Sequence, residues 1–229
     1  MNDLVFETSG LMLELCPERA AFVPERAEIL LADVHLGKAA AFRRAGKPLP
    51  RGTTRAELAR IDALVQRKRA ARVTFLGDLF HAEVEVDSPT ARVFREWLNA
   101  RVDTLEITLV RGNHDRHARE LIADLPLVSL PEPHAPPGSA VDYRHHPGGE
   151  RPWVAGHVHP GVRLGDGADA MRLPVFWEQA GAGLILPAFG RFTGLQIVEG
   201  GPLDRFAAAT PTGVVALPAS RTSSGSKRY

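Results

Sequence analysis

The stretch Leu105-Glu106-Ile107-Thr108-Leu109-Val110-Arg111-Gly112-Asn113-His114-Asp115 reads as a strand running into a tight polar turn. The apolar run fixes the extended chain, and Gly112 lets the backbone approach its surroundings closely. Three consecutive polar side chains can then converge just beyond the strand. Asn113 offers an amide oxygen, His114 an imidazole, and Asp115 a carboxylate able to orient that imidazole.

Four other polar groups end apolar runs in the same way: Asp33-Val34-His35, Gly77-Asp78, His145-His146 and Gly156-His157-Val158-His159. A single histidine in such a place is more often a satisfied core or surface side chain than a ligand. Yet histidines 35, 81, 114, 145, 146, 157 and 159 all fall in or beside these turns, seven of the nine in the chain. With Asp33, Asp78 and Asn113 they hold enough donors for two cations. A nitrogen and oxygen set without thiolate suits Mn²⁺, Fe or Zn²⁺.

Outward from the opening stretch, 29–32 is a continuous apolar run, as in a strand buried on both faces, and 73–76 reads as the next strand. Between them Thr54 and Glu57 form the pattern of a capping box, followed by the stripe Leu58, Ile61, Leu64 and Val65. Ser88 and Pro89 mark the start of a second helix, with an apolar face of Val93, Phe94, Trp97, Leu98 and Val102. A short helix is expected at 116–124, and upstream 11–15 alternates like a short edge strand broken off by Pro17. The order is therefore β-α-β-α-β-α, with each polar group at a strand's carboxyl end, where open α/β sheets carry their sites. After a Pro-rich loop at 131–138, the runs 141–144, 153–155, 171–178, 184–187 and 195–198 read as strands. Two sheets face to face with helices outside are expected, in one domain over 1–216. The polar tail 217–229 lacks the apolar content to pack and is expected to be disordered.

One cysteine, Cys16, excludes an internal disulfide framework and a thiolate zinc site, and reads as a small buried side chain. No run reaches membrane-spanning length and the first residues show no signal-peptide core, so the expectation is a soluble cytoplasmic protein. The net charge of +1 conceals a segment, 38–72, with eleven Lys/Arg against two acids, a local +9. Such a segment in an otherwise acidic chain suits a polyanion partner; a solvated helix face is the plainer alternative.

The series Asp-x-His, Gly-Asp, Gly-Asn-His-Asp, His, Gly-His-x-His resembles the calcineurin-like metallophosphoesterase superfamily. The segments 32–38, 77–81, 145–147 and 186–194 are most similar to the bacterial DNA-ligase-associated metallophosphoesterases (PdeM-like phosphodiesterases), Arg144 being a departure. This resemblance implies a four-layer αββα sandwich of two mixed β-sheets flanked by helices. It also implies two divalent metal ions, foremost Mn²⁺. Asp33, His35, Asp78 and His159 would hold one, and Asp78 would bridge to a second completed by Asn113, His145 and His157. His145 is preferred over His146 because the family motif reads ligand-x-Pro. A metal-bridging hydroxide would attack phosphorus in line, with His114 as proton donor, Asp115 as its orienting partner and His81 as a phosphate contact. The implied activity is a phosphodiesterase, a nuclease on DNA or RNA in DNA repair, associated functionally with a DNA ligase and a helicase-like protein. A homodimer is also in keeping with relatives. The alternatives are a phosphomonoesterase, a small-nucleotide phosphodiesterase, or a non-catalytic metal-binding partner of a repair complex.

Overall fold

The computed structural model describes residues 2–81, 84–165, 167 and 170–218. A first sheet has seven strands in chain order: β1 (Leu4–Thr8), β2 (Leu11–Cys16), β3 (Ala20–Val23), β4 (Glu28–Leu31), β5 (Arg72–Leu76), β6 (Glu106–Val110) and β7 (Val128–Leu130). β1 to β4 pair antiparallel through short turns, whereas β4 to β7 run parallel. Parallel neighbours need crossovers. These are α1 (Lys38–Arg44) with α2 (Thr53–Lys68), then α3 (Pro89–Asn99), then a 3-10 turn (Asp115–Ala118) running into α4 (Arg119–Ala123).

The second, eight-stranded sheet comprises β8 (Asp142–Tyr143), β9 (Trp153–Ala155), β10 (Pro160–Leu164), β11 (Met171–Gln179), β12 (Gly183–Ile185), β13 (Gln196–Ile197), β14 (Arg205–Ala209) and β15 (Val214–Leu217). It too is mixed, with β8, β9 and β12 parallel and β10, β11 and β14 antiparallel. The expected α/β sandwich of two mixed sheets flanked by helices is thus the observed fold. One core lies between the sheets, where Leu13, Leu15, Leu30, Val110, Tyr143, Phe176 and Leu184 meet. A second lies between the first sheet and the helices, built from Ile29, Leu31, Ile61, Phe75, Phe94 and Trp97. Burial on both faces explains why β4, β5 and β6 are mostly apolar, with Glu28, Thr74 and Thr108 as buried polar exceptions.

Several expectations are corrected. The 11–15 run is an inner strand, because the alternating run at 4–8 supplies the edge. Thr54 does not cap α2: the helix starts after Gly52, with no side-chain cap. Glu57 is instead drawn inward, pairing with Arg60 and accepting from the Arg191 N–H at 3.1 Å. Val102 lies beyond the end of α3 and is exposed, whereas Ser88 does cap that helix, its hydroxyl accepting from Ala91 N–H. Of the tail, Leu217 closes β15, and 219–229 lie outside the described residues.

Much of the basic segment is tied down by acids distant in sequence. Arg67 meets Asp3 and Glu18 at 2.6 and 2.7 Å, Lys68 meets Asp3 and Glu14, and Arg72 meets Glu106 at 2.8 Å. The positive charge without such partners gathers on α1 and the turn after it, at Arg43, Arg44, Lys47 and Arg51. Arg43, Arg44 and Arg51 line a hollow there.

Candidate metal centre

Five chain segments meet at the carboxyl edge of the first sheet. The turns after β4, β5 and β6 bring Asp33 and His35, Asp78, and Asn113 and His114. From the second sheet come His145, after β8, and His157 and His159, between β9 and β10. Asp33, His35, Asp78, His157 and His159 all have φ between 50° and 71°, a backbone state costly for residues with a Cβ. Such strain clustered in one nest is what a functional site retains.

The nest has no room to spare. A Cβ on Gly77 would stand 2.2 Å from the His145 ring, and one on Gly112 2.5 Å from Asp78 Oδ1. Gly112 has no positive φ, so close approach is its whole role.

Donor atoms face one another. His159 Nε2 lies 3.3 Å from Asp33 Oδ1, and His35 Nε2 3.7 Å from Asp78 Oδ2. Asp33, His35 and His159 form one group able to hold an ion; Asp33, Asp78 and His145 form another. His145 is fully buried, and its Nδ1 lies 3.1 Å from the Leu76 carbonyl, which can only accept. Nδ1 therefore carries the proton and Nε2 presents a lone pair. That lone pair points at Asn113 Oδ1 (2.9 Å), Asp78 Oδ1 (3.5 Å) and His157 Nδ1 (3.1 Å). An imidazole nitrogen, an amide oxygen and a carboxylate converge there, a donor set that suits a cation.

Unpartnered buried atoms repeat the message: among the described residues, Asp33 Oδ1, both nitrogens of His35, and Nδ1 of His81 and His114 have no hydrogen-bond partner. Buried polar atoms are almost always paired. Burial pushes the His35 imidazole down to about 2, helped by the positive neighbourhood of Lys38 and three other histidines. Burial likewise lowers His157, with His145 and His146 adding to the effect. Both therefore stay neutral, the form in which imidazole binds metal. The set fits divalent cations of the nitrogen- and oxygen-preferring kind.

His114 and His81 stand at the mouth. Their rings stack at 5.6 Å, and each lies edge-on to His35, at 5.2 and 5.8 Å respectively. The His114 backbone N–H donates to Asp78 Oδ1 at 2.9 Å. Asp115 does not orient the His114 ring, contrary to expectation. Its two oxygens accept from the Gly112 N–H at 2.8 Å and the Phe80 N–H at 3.3 Å, locking the β6 turn to the β5 turn. Burial pushes this carboxyl up to about 6.

His146 lies beside His145 and His157, with its Nδ1 2.6 Å from Glu132 Oε1. Glu132 Oε2 also accepts from the backbone N–H groups of His145 and His146, at 2.8 and 2.9 Å. Burial opposes ionisation of Glu132, but the His146 ring and these two N–H donors hold it below the usual carboxylate range. Glu132 thus sets the His145 segment in place. Sequence reading missed it, because nothing in a Pro-rich loop marks a carboxylate that acts thirteen residues on.

Two face-to-face sheets with a nest of nitrogen and oxygen donors at one carboxyl edge define an α/β sandwich with a candidate metal centre. The chain belongs to the calcineurin-like phosphoesterase family, whose description it matches over residues 29–155. It is 34% identical to the Pseudomonas putida nuclease MPE, with 94% of this chain covering 100% of that one at a TM-score of 0.79. A phosphoesterase from E. coli, Yfce, is 16% identical, covering 86% of this chain and 94% of that one at a TM-score of 0.41, too distant to carry an argument. No curated protein matches the chain. Among the described residues, no helix is long and apolar enough to cross a membrane.

Proposed function

We propose that the protein is a metal-dependent phosphodiesterase acting on nucleic acid. The observation that carries this reading is the convergence of His145 Nε2, Asn113 Oδ1 and Asp78 Oδ1 beside the unpartnered Asp33 and His35 atoms. Asp33, His35, Asp78 and His159 would hold one divalent ion, and Asp78, Asn113, His145 and His157 a second, with Mn²⁺ the first candidate. Such ions supply acidified water and neutralisation of phosphoryl oxygens. The protein's part is to hold the substrate phosphate and to move a proton. His114, whose Nε2 faces Asp78 Oδ2 at 3.9 Å, is the group to protonate the leaving oxygen. His81, stacked on it, would contact a phosphoryl oxygen. Burial lowers the Lys38 ammonium while Asp33 and Asp78 oppose that shift, a setting from which Lys38 can meet an incoming phosphate.

The nuclease named in the similar Pseudomonas putida structure supports a polynucleotide substrate, as do Arg43 and Arg44 of α1, which among the described residues meet no carboxylate. Within the family, the segments 32–38, 77–81, 145–147 and 186–194 favour the DNA-ligase-associated branch. A role in DNA repair beside a ligase and a helicase-like protein, in the cytoplasm, follows from that likeness, with a homodimer as its expected state. The deciding experiment is hydrolysis of bis-p-nitrophenyl phosphate beside the monoester, with Mn²⁺ and then with chelator, in wild type and His114→Ala. Metal-dependent diester turnover that collapses in the variant is expected. Turnover of the monoester alone would make the protein a phosphatase, and silence on both would leave a non-catalytic metal protein.

A further inference from the structure

A second polar cluster stands at the same edge of the first sheet, outside the metal centre. Arg111 follows β6 directly; Arg116 and Arg119 belong to the 3-10 turn and α4 behind it. The three arginines line one hollow of about 430 Å³, whose lining also includes Asp115, Ser129 and the apolar Ile122 and Ala123. All three are exposed, and among the described residues none is paired with a carboxylate. Asp115, the acid in the lining, is buried and already committed to two backbone N–H groups. Arg111 is steadied by the Ser129 carbonyl and hydroxyl, at 3.3 and 3.2 Å.

Three like charges around one hollow repel one another unless an anion joins them, and planar guanidinium forks match phosphate oxygens best. Position adds to charge. The hollow shares Gly112 and Asp115 with the turn that carries Asn113 and His114. The α1 arginines follow β4, the new cluster follows β6, and β5 with Asp78 lies between them in the sheet. A chain of phosphates crossing the centre would therefore meet cations on both sides.

We propose that Arg111, Arg116 and Arg119 form a subsite for a non-scissile backbone phosphate of a polynucleotide whose neighbouring phosphodiester sits at the metal centre. The proposal rests on the phosphodiester reading of that centre. A mononucleotide or a small monoester carries one phosphate and so cannot fill both places.

The test pairs Arg116→Ala/Arg119→Ala with Arg116→Lys/Arg119→Lys, since both positions are exposed and the Arg111 contact with Ser129 is left intact. Binding of a fluorescent single-stranded oligonucleotide is read by anisotropy in chelator, across a salt series, so that cleavage plays no part. The alanine pair should weaken binding at least about tenfold at low salt and flatten the log–log salt dependence by about one unit, as expected for one or two lost phosphate contacts. The lysine pair should recover most of the slope. Turnover of bis-p-nitrophenyl phosphate should stay unchanged in both variants. Equal oligonucleotide affinity and slope in wild type and the alanine pair would overturn the subsite, and so would a wild type that binds no oligonucleotide. So would a parallel loss of small-diester turnover, which would mean a structural role. Failure of the wild type on the small diester, with oligonucleotide binding intact, would instead strike the phosphodiesterase reading.

Discussion

At the scale of single residues, the polar types were legible in the sequence, but their partners were not. Asp115 follows His114 directly, yet adjacent residues in a turn point apart, and its carboxylate went to Gly112 and Phe80 N–H instead. Its raised value gives a pH prediction for the chelated protein. The folded carboxyl titrates near 6 rather than at the ordinary 3.8, so between these values the folded state binds more protons than the unfolded chain. Stability therefore falls as pH rises through that window, by up to about 3 kcal/mol from this group. Asp115→Asn should lose correspondingly less between about pH 4 and pH 7 in urea unfolding; parallel curves for the two proteins would exclude this carboxyl as the source. Glu132 makes the complementary case, since it holds the His145 and His146 backbone and the His146 ring without itself belonging to the proposed ligand set. Glu132→Ala should lower metal affinity about 10- to 100-fold, in line with other groups that orient a ligand. Calorimetric titration with Mn²⁺ measures it, and unchanged affinity would mean that the His145 segment holds itself.

At the scale of elements, legibility followed burial. β4, β5 and β6 are covered on both faces and mostly apolar, whereas β7, with three residues that are all at least partly exposed, leaves too little pattern to read. The two helix starts show how a motif can fail. Ser88 sits with φ −63° and ψ 154°, the extended state a cap needs, and its hydroxyl reaches Ala91 N–H at 3.2 Å. Thr54 lies inside the first turn of α2, and Glu57 was drawn to Arg60, whose guanidinium also holds the Phe189 and Glu18 carbonyls at 3.0 Å. Ser88→Ala should therefore cost about 1 kcal/mol, while Thr54→Ala should stay within about 0.5 kcal/mol of wild type. Equal losses in denaturant melts would return Thr54 to a capping role. The β5 turn is stricter still. Gly77 has φ 77°, and a methyl there would overlap the His145 ring. Gly77→Ala should leave the helices folded by circular dichroism and cut diester turnover at least about 100-fold through a displaced ligand; near-normal turnover would show that His145 can move aside without loss.

At the scale of the whole molecule, the sequence displayed the two halves but not the way they join. The joint is chemical as well as apolar: His145, His157 and His159 reach across from the second sheet to Asp33, Asp78 and Asn113 on the first. The backbone reinforces it, for the His157 N–H donates to Asp33 Oδ2 at 2.8 Å and the Phe189 N–H to the Ala32 carbonyl at 2.8 Å. Without cations this joint holds buried acceptors against one another, and strained backbone besides, so the site works against the fold that carries it. Cations binding there would bridge the sheets and stabilise the folded state by mass action, by about 2.7 kcal/mol when free metal is a hundredfold above its dissociation constant. For a chain of this length that is a rise in Tm of about 5–10 °C. Differential scanning calorimetry of chelated protein, titrated with Mn²⁺, should show Tm climbing with metal concentration. Asp78→Asn, which removes the carboxylate proposed to serve both ions, should flatten that climb and leave the chelated protein at least as stable as chelated wild type. A Tm indifferent to metal in the wild type would mean that the two sheets are joined by their apolar core alone.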